Sequence, residues 1–399
     1  MLKSYRHLLR IPDLRSQTFQ SPAKLLFTFA FFSLSVLWIT GCNTQQEQQS
    51  AKLPGWALGP FKRPAHVNPL IKPASDLFWG PIKKDSIAWE SANTFNPAAT
   101  IKDGSIYILY RAEDQPGKGI GHHTSRIGLA RSDNGISITK RFSKPVLFPR
   151  NDAQKSNEWP GGTEDPRVAR TKSGTYVMFY TQWNGKVPRL AVATSKDLKH
   201  WSKHGPAFAK AYGGRFTNRG TKSASIVTKL KHGTKVIAKI NGHYFMYWGV
   251  QHVYGATSTN LTDWKPILNK QGRLKPLASP RKGKFDSALD ECGPPALLTK
   301  KGILLIYNGK NKRGRGHDPN YRAGTYAAGQ MLFSKKHPTK LLKRLNKPFL
   351  VPTEPYERSG QYPEGTVFTE GLVFFHGKWF LYYGCADSRV AVAVYNPKK

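Results

Sequence analysis

The chain has 399 residues, 39% hydrophobic and 12% aromatic, which excludes general disorder and leaves room for one large β domain or two ordinary domains. Lys and Arg total 62 against 24 Asp and Glu, a formal net charge of +38, so polyanions are attracted at long range. The basic residues are scattered along the chain and accompany no nucleic-acid module, so nucleic acid is not the expected partner.

In chain order, Lys3, Arg6, Arg10, Arg15 and Lys24 precede an apolar run from Leu25 to Ile39. That run is short for a membrane span and suits the apolar region of a signal peptide. It ends in Ile39-Thr40-Gly41-Cys42, which resembles a bacterial lipobox. Residues 1–42 are therefore expected to be a lipoprotein signal peptide with Cys42 as the lipidated cysteine; an ordinary cleaved signal peptide is the alternative. Residues 43–60, opening with a glutamine-rich stretch, are expected to form a polar tether, and residues 61–399 the folded domain. Asn43 after the cysteine favours the bacterial outer membrane, with a lipid anchor at the cell surface or periplasmic face. The remaining cysteines, Cys292 and Cys385, match no zinc motif and are expected as buried thiols, with a single disulfide as the alternative.

Five segments then share an alternation of aliphatic and aromatic residues: Ile106 to Asp114, Thr175 to Trp183, Tyr244 to Gln251, Ile303 to Lys310 and Trp379 to Asp387. Each follows a turn containing glycine, such as Asp103-Gly104 or Asn241-Gly242, and each is followed by a second strand-like segment rich in small residues. Tyr110, Tyr180, Tyr247, Tyr307 and Tyr383 hold similar places in the five. Five multi-strand repeats predict an all-β five-bladed β-propeller, with a pair of β-sandwiches as the alternative. In a propeller the polar ends of the inner strands converge at one mouth; here they include Arg111, Glu113, Asp114, Gln182, Asn308 and Asp387.

The stretch Gly161 to Arg167 sets Glu164 and Asp165 beside Arg167, with glycines before and Pro166 after. Glycine frees the backbone and Pro166 biases Asp165 towards an extended conformation, so a rigid non-helical loop aiming an acid at a ligand is expected. A polar turn with a surface ion pair is the plain alternative. The adjacent His122 and His123 point to opposite faces of an extended strand, and neither a metal nor a cofactor is expected.

The segments Asn96 to Ala99, Tyr110 to Glu113, Ser125 to Gly128, Gly162 to Val168, Cys292 to Pro295 and Tyr382 to Asp387, in this order, resemble glycoside hydrolase family 130. That family comprises five-bladed propellers acting on β-mannosides as inverting phosphorylases or hydrolases. The segments Gln182 to Pro206, Ser279 to Pro295 and Gly360 to Asp387 resemble its lipoprotein β-1,2-mannosidase branch. The resemblance implies an oligosaccharide or mannan substrate, Asp165 as general acid and Glu291 as base, with the proton relayed through a sugar hydroxyl. It also implies that Asn96, Arg111, Asp114, Arg167 and Asp387 line the pocket, with Arg189, Lys222 and Asp286 near its rim. The branch carries a second glutamate just after the third inner strand, where this chain has Val250-Gln251-His252. A phosphate-using mannoside phosphorylase and a catalytically weak glycan-binding lipoprotein are the alternative functions.

Overall fold

A computed structural model describes residues 53–115 and 123–397. The expected signal peptide, Cys42 and the first part of the tether lie outside the described residues. The last part of the expected tether is docked: Leu58 exchanges two 2.8 Å backbone–side-chain hydrogen bonds with Gln330.

The described chain is almost entirely β-structure, with one short helix at Lys155–Glu158 and a 3-10 turn at Pro355–Glu357. Most of its strands fall into five antiparallel groups, beside two further hairpins, Leu77–Gly80 with Asp85–Ala88 and Thr228–Lys231 with Thr234–Ile237. The first runs through Asn93–Lys102, Ser105–Glu113, Ser125–Ser132 and Lys140–Arg141. The second comprises Gly162–Arg170, Tyr176–Trp183, Pro188–Ser195 and Ser202–Pro206. The third comprises Ala224–Ile226, His243–Trp248, Tyr254–Ser258 and Lys265–Pro266. In the fourth, Leu289–Cys292 and Leu297–Leu298 both pair with Ile303–Lys310, which leads to Tyr326–Phe333 and Leu341–Arg344. The fifth holds Val367–Phe375, Lys378–Cys385 and Arg389–Tyr395. Its outer edge is extended from the other end of the chain, since Lys62 bridges to Val394 and Ile71 to Val390.

The repeated strands form because the alternating pattern lets each bury apolar side chains on both faces. Asp103-Gly104, Asn241-Gly242 and His376-Gly377 each place two successive residues at positive φ, the geometry of a tight hairpin turn. The core is divided among five clusters, each shared by two groups. Leu109 and Leu129 meet Met178 and Tyr180; Phe179 and Val192 meet Met246 and Trp248; Phe245 and Tyr247 meet Leu305 and Met331. Leu304 and Ile306 then meet Leu372 and Leu381, and Phe380 and Tyr382 of the fifth group meet Ile106 and Ile108 of the first. The packing thus runs through all five groups and returns to its start.

The repeat tyrosines have a common purpose in four of the groups. Each donates its hydroxyl to a fully buried carboxylate that also pairs with a basic side chain: Tyr110 to Glu90 with Arg141, Tyr180 to Glu158 with Lys203, Tyr307 to Asp286 with Arg344, and Tyr383 to Glu357 with Arg63. A buried carboxylate needs such partners to offset its desolvation. Tyr247 differs, donating instead to the carbonyl of Pro338 at 2.9 Å.

Candidate active site

The first strands of the first, second and fifth groups each carry a bulge, between Phe95 and Ala98, Glu164 and Arg167, and Thr369 and Gly371. Asn96 and Asp165 sit in two of these bulges at φ +46° and +48°, and Glu370 sits in the third. The expectation of an extended Asp165 in a loop is corrected: it lies within a strand, in the left-handed region. A bulge adds a residue and re-aims a side chain. Successive strand residues ordinarily face opposite sides, yet here Glu164 and Asp165 line the same pocket.

Three donors hold the Asp165 carboxylate. Asn96 Nδ2 lies 2.9 Å and Arg111 Nη1 3.1 Å from Oδ1, while Lys222 Nζ lies 3.2 Å from Oδ2. The same Lys222 Nζ lies 3.4 Å from Glu291 Oε1, which also accepts from Ser223 Oγ at 2.5 Å. One ammonium thus bridges two carboxylates from different groups. The two distances laid end to end are the most by which these oxygens can be separated, so they lie no farther apart than about the lower edge of the roughly 6.5 to 9.5 Å spacing of inverting glycosidases. Arg111 Nη2 approaches Glu113 at 2.6 Å and Glu164 at 2.9 Å, and its guanidinium lies over the Phe95 ring.

These groups open into a cavity of about 270 Å³, lined by Asn96, Arg111, Glu164, Asp165, Lys222, Glu291 and Asp387, with Trp183, Tyr326 and Tyr362 among its aromatic walls. Gly161 lets Trp183 lie close, since a Cβ there would meet the indole at 2.0 Å. Carboxylates, an amide and cations beside aromatic faces suit a sugar, whose hydroxyls need polar partners and whose ring has an apolar face.

Electrostatics separate the acids. Burial opposes the charge on Asp165, but Lys222, Arg111, Arg167 and the Asn96 hydrogen bond outweigh it and hold the carboxyl well below the usual range. Burial pushes Glu164 up to about 7 despite Arg111, and Asp165 beside it adds to the rise. Burial likewise pushes Asp387 up to about 7 against the pull of Arg111. Lys222 is half-buried, which lowers its proton affinity, but Glu291 and Asp165 keep it firmly protonated.

Beneath the pocket, the buried Arg167 donates to the carbonyls of Asp165, Cys292 and Gly293 at 3.0, 2.9 and 3.3 Å. It approaches Glu370 at 2.9 Å, a fully buried carboxyl that accepts no well-directed hydrogen bond among the described residues and that burial pushes well up. Arg167 therefore aligns the strands of Asp165 and Glu291 from below and is absent from the pocket lining.

Three further expected site residues are engaged elsewhere. Asp114 accepts from Arg126 and the Thr124 amide, both at 2.9 Å. Arg189 ties Val187, Thr217 and Asn218 together, and Asp286 is the acid of the Tyr307 tie. The polar strand ends Gln182 and Asn308 are likewise internal, paired with Glu158 and Thr369. Asp290, beside Glu291, pairs with Arg344. Val250, Gln251 and His252 lie outside the pocket lining, and His252 bonds Ser279 at 3.0 Å. The sequence pattern gives Glu164 no role beyond its place beside Asp165, and Tyr326, Gln361, Tyr362 and Phe368 carry no signal that sets them apart from other strand and loop residues. Among the described residues no group of three His, Cys, Asp or Glu is placed to hold a metal ion.

Residues 66–399 match a family model of glycoside hydrolase family 130, described as beta-1,4-mannooligosaccharide phosphorylase. A solved structure of a glycosyl hydrolase from Bacteroides ovatus is 60% identical, with a TM-score of 0.86, covering 87% of this chain and 96% of the other. A second, 58% identical with the same TM-score and covering 87% and 97%, comes from work stating that the family of mannoside phosphorylases contains glycoside hydrolases that target beta-1,2 mannosidic linkages in Candida mannan. A 1,2-beta-oligomannan phosphorylase from Thermoanaerobacter sp. is 30% identical over 315 residues, 78% of this chain and 92% of the relative.

Proposed function

The chain belongs to glycoside hydrolase family 130, and from that membership we propose that it is an inverting, exo-acting β-mannosidase that hydrolyses β-1,2-linked mannosides. The observation that carries this reading is the placement of Asp165 and Glu291 in one pocket, bridged by a single ammonium. Inversion needs a base on one face of the sugar and a proton source on the other. In this reading Glu291 takes a proton from water as the water oxygen bonds to the anomeric carbon. The bond to the leaving oxygen breaks, and that oxygen is protonated from the Asp165 side through a sugar hydroxyl. Asn96, Arg111 and Asp387 hold the hydroxyls of the sugar being cleaved, and Trp183 supplies an apolar face. Arg167 acts through the backbone and is a positioning residue.

The proposal extends to architecture and place. The cyclic packing of the five strand groups supports a five-bladed β-propeller. The sequence of residues 1–42 supports a lipoprotein signal peptide, with Cys42 acylated and the protein lipid-anchored at the bacterial outer membrane.

A phosphorylase is the second reading, favoured by the names of the family model and the Thermoanaerobacter relative. Against it stands Glu291 in the pocket, whose charge would repel phosphate. Product analysis of the chain from Asn43 onward, on β-1,2- and β-1,4-mannobiose with and without phosphate, separates the readings. Free mannose in both conditions, released faster from the β-1,2 disaccharide, is the expected result. Mannose 1-phosphate formed only with phosphate would establish the phosphorylase and remove Glu291 as base, while binding without turnover would leave a glycan-binding protein.

A further inference from the structure

The donor arrangement leaves the resting pocket short of a proton at the position that must deliver one. Asp165 is ringed by Asn96, Arg111 and Lys222, which stabilise its carboxylate and disfavour its acid form. Four carboxyls line the cavity, Glu164, Asp165, Glu291 and Asp387, against two cations, Arg111 and Lys222. With more acids than cations in a buried space, ionising all of them is costly, so protons are retained on the least supported. Glu291 has Ser223 and Lys222. Of the other two, among the described residues Asp387 makes no ion pair and Glu164 makes one, to the Arg111 Nη2 atom already shared with Glu113 at the shorter distance of 2.6 Å; of this pair, Glu164 is the one consecutive with Asp165.

We propose that Glu164 is a second acid of this site, holding in the resting enzyme the proton that Asp165 delivers to the leaving oxygen. The inference rests on the hydrolase reading above. Its geometry is the bulge: Glu164 and Asp165 are consecutive, face the same cavity and contact the same guanidinium, at 2.9 and 3.1 Å. The groups facing Glu164 are Arg111 and Glu113 from the Ser105–Glu113 strand, Asp165 on its own strand, and Lys222 from the segment before Ala224. Glu164 is thereby kept neutral while Asp165 is kept charged, a division that sets acid and base roles in adjacent groups. In turnover the proton passes from the Glu164 carboxyl to the Asp165 carboxylate. Asp165 passes a proton to a sugar hydroxyl, which gives up its own to the leaving oxygen. Glu164 ends ionised and Glu291 protonated. Release of the Glu291 proton to solvent and uptake of one by Glu164 restore the start, with one water consumed per bond broken.

The test combines a spectroscopic and a kinetic readout. Infrared difference spectra of the purified protein without substrate, between pH 4 and pH 9, are expected to show protonated-carboxyl intensity that titrates near neutrality, shared by Glu164 and Asp387 and diminished by the share of one carboxyl in Glu164→Gln. On β-1,2-mannobiose Glu164→Gln is expected to lose roughly a hundredfold in kcat. On 2,4-dinitrophenyl β-mannoside, whose leaving group needs no proton, the loss is expected to stay within about threefold, the proton requirement being the whole of the effect. Glu164→Asp is expected to recover part of the mannobiose rate. Equal losses on both substrates would make Glu164 structural and overturn the proposal. So would near-neutral intensity that Glu164→Gln leaves undiminished and only Asp387→Asn reduces. A wild-type protein that hydrolysed neither substrate would remove the reaction and the delivery step together, and the infrared titration would still decide where the resting proton lies.

Discussion

The guanidinium of Arg167 donates to the backbone carbonyl of Cys292 at 2.9 Å, tying the strand that carries Asp165 to the strand that carries Glu291. The same side chain also holds the carbonyls of Asp165 and Gly293, so three backbone oxygens depend on one buried fork. Replacing it strands those acceptors and Glu370 in the interior. Arg167→Met is expected to cost roughly 3 to 5 kcal/mol in denaturant unfolding, and Arg167→Met with Glu370→Leu somewhat less. Arg167→Lys keeps the charge without the fork geometry. It is expected to fold and to lose at least about tenfold in kcat, because small misplacements of reacting groups are expensive. An unchanged rate in the lysine variant would separate alignment from the fork.

The two carboxylates bridged by Lys222 are expected to fail differently from the pocket walls. Asp165→Asn and Glu291→Gln should each lower kcat by roughly a hundredfold to ten-thousandfold, the range for loss of a general acid or base, while disaccharide binding by calorimetry survives. Trp183→Ala should instead raise KM, since it removes apolar contact area and leaves the carboxylates in place. Equal kcat losses in all three would point to collapse of the pocket rather than to separate roles.

The repeat tyrosines offer a stability comparison within one protein. Tyr307→Phe removes a 2.6 Å hydrogen bond to the buried, ion-paired Asp286, whereas Tyr247→Phe removes one to a neutral carbonyl. Bonds to charged groups contribute about 1.5 to 3 kcal/mol and neutral ones about 0.5 to 1.5. The Tyr307 variant should therefore be the less stable by about 1 kcal/mol in parallel urea titrations. The reverse order would mean that Arg281 and Arg344, which approach Asp286 at 2.7 and 2.5 Å, alone satisfy it.

Stability should also depend on pH through Glu164. Burial raises its carboxyl from an ordinary value of 4.5 to about 7 in the folded state. Between those values the folded chain keeps a proton that the unfolded chain has released. Its contribution is therefore greatest at low pH and declines as pH rises towards about 7, by up to about 1.4 kcal/mol per unit. Unfolding free energies measured from pH 5 to pH 7.5 should fall more steeply for the wild type than for Glu164→Gln, with a difference of roughly 2 kcal/mol across the window. Parallel curves would show that Glu164 titrates alike in both states.

Much of this protein is written locally. Alternating aromatic and aliphatic residues, with Asp103-Gly104, Asn241-Gly242 and His376-Gly377 before them, determine where strands and hairpins lie, because pleat and turn depend on neighbours in sequence. The stretch around Asp165 and the glutamate before Cys292 likewise stood out from the residues and their resemblance to a family. The chain alone did not decide which polar strand ends would meet. Asp114, Arg189 and Asp286 are drawn into internal pairs, while Glu164 turns into the cavity beside Asp165 and Lys222 spans two carboxylates. Those outcomes depend on bulges that reverse a side chain's facing and on contacts between strand groups distant in sequence. A carboxylate's role follows from which cations and donors the packing places around it, and only the tertiary structure assigns them.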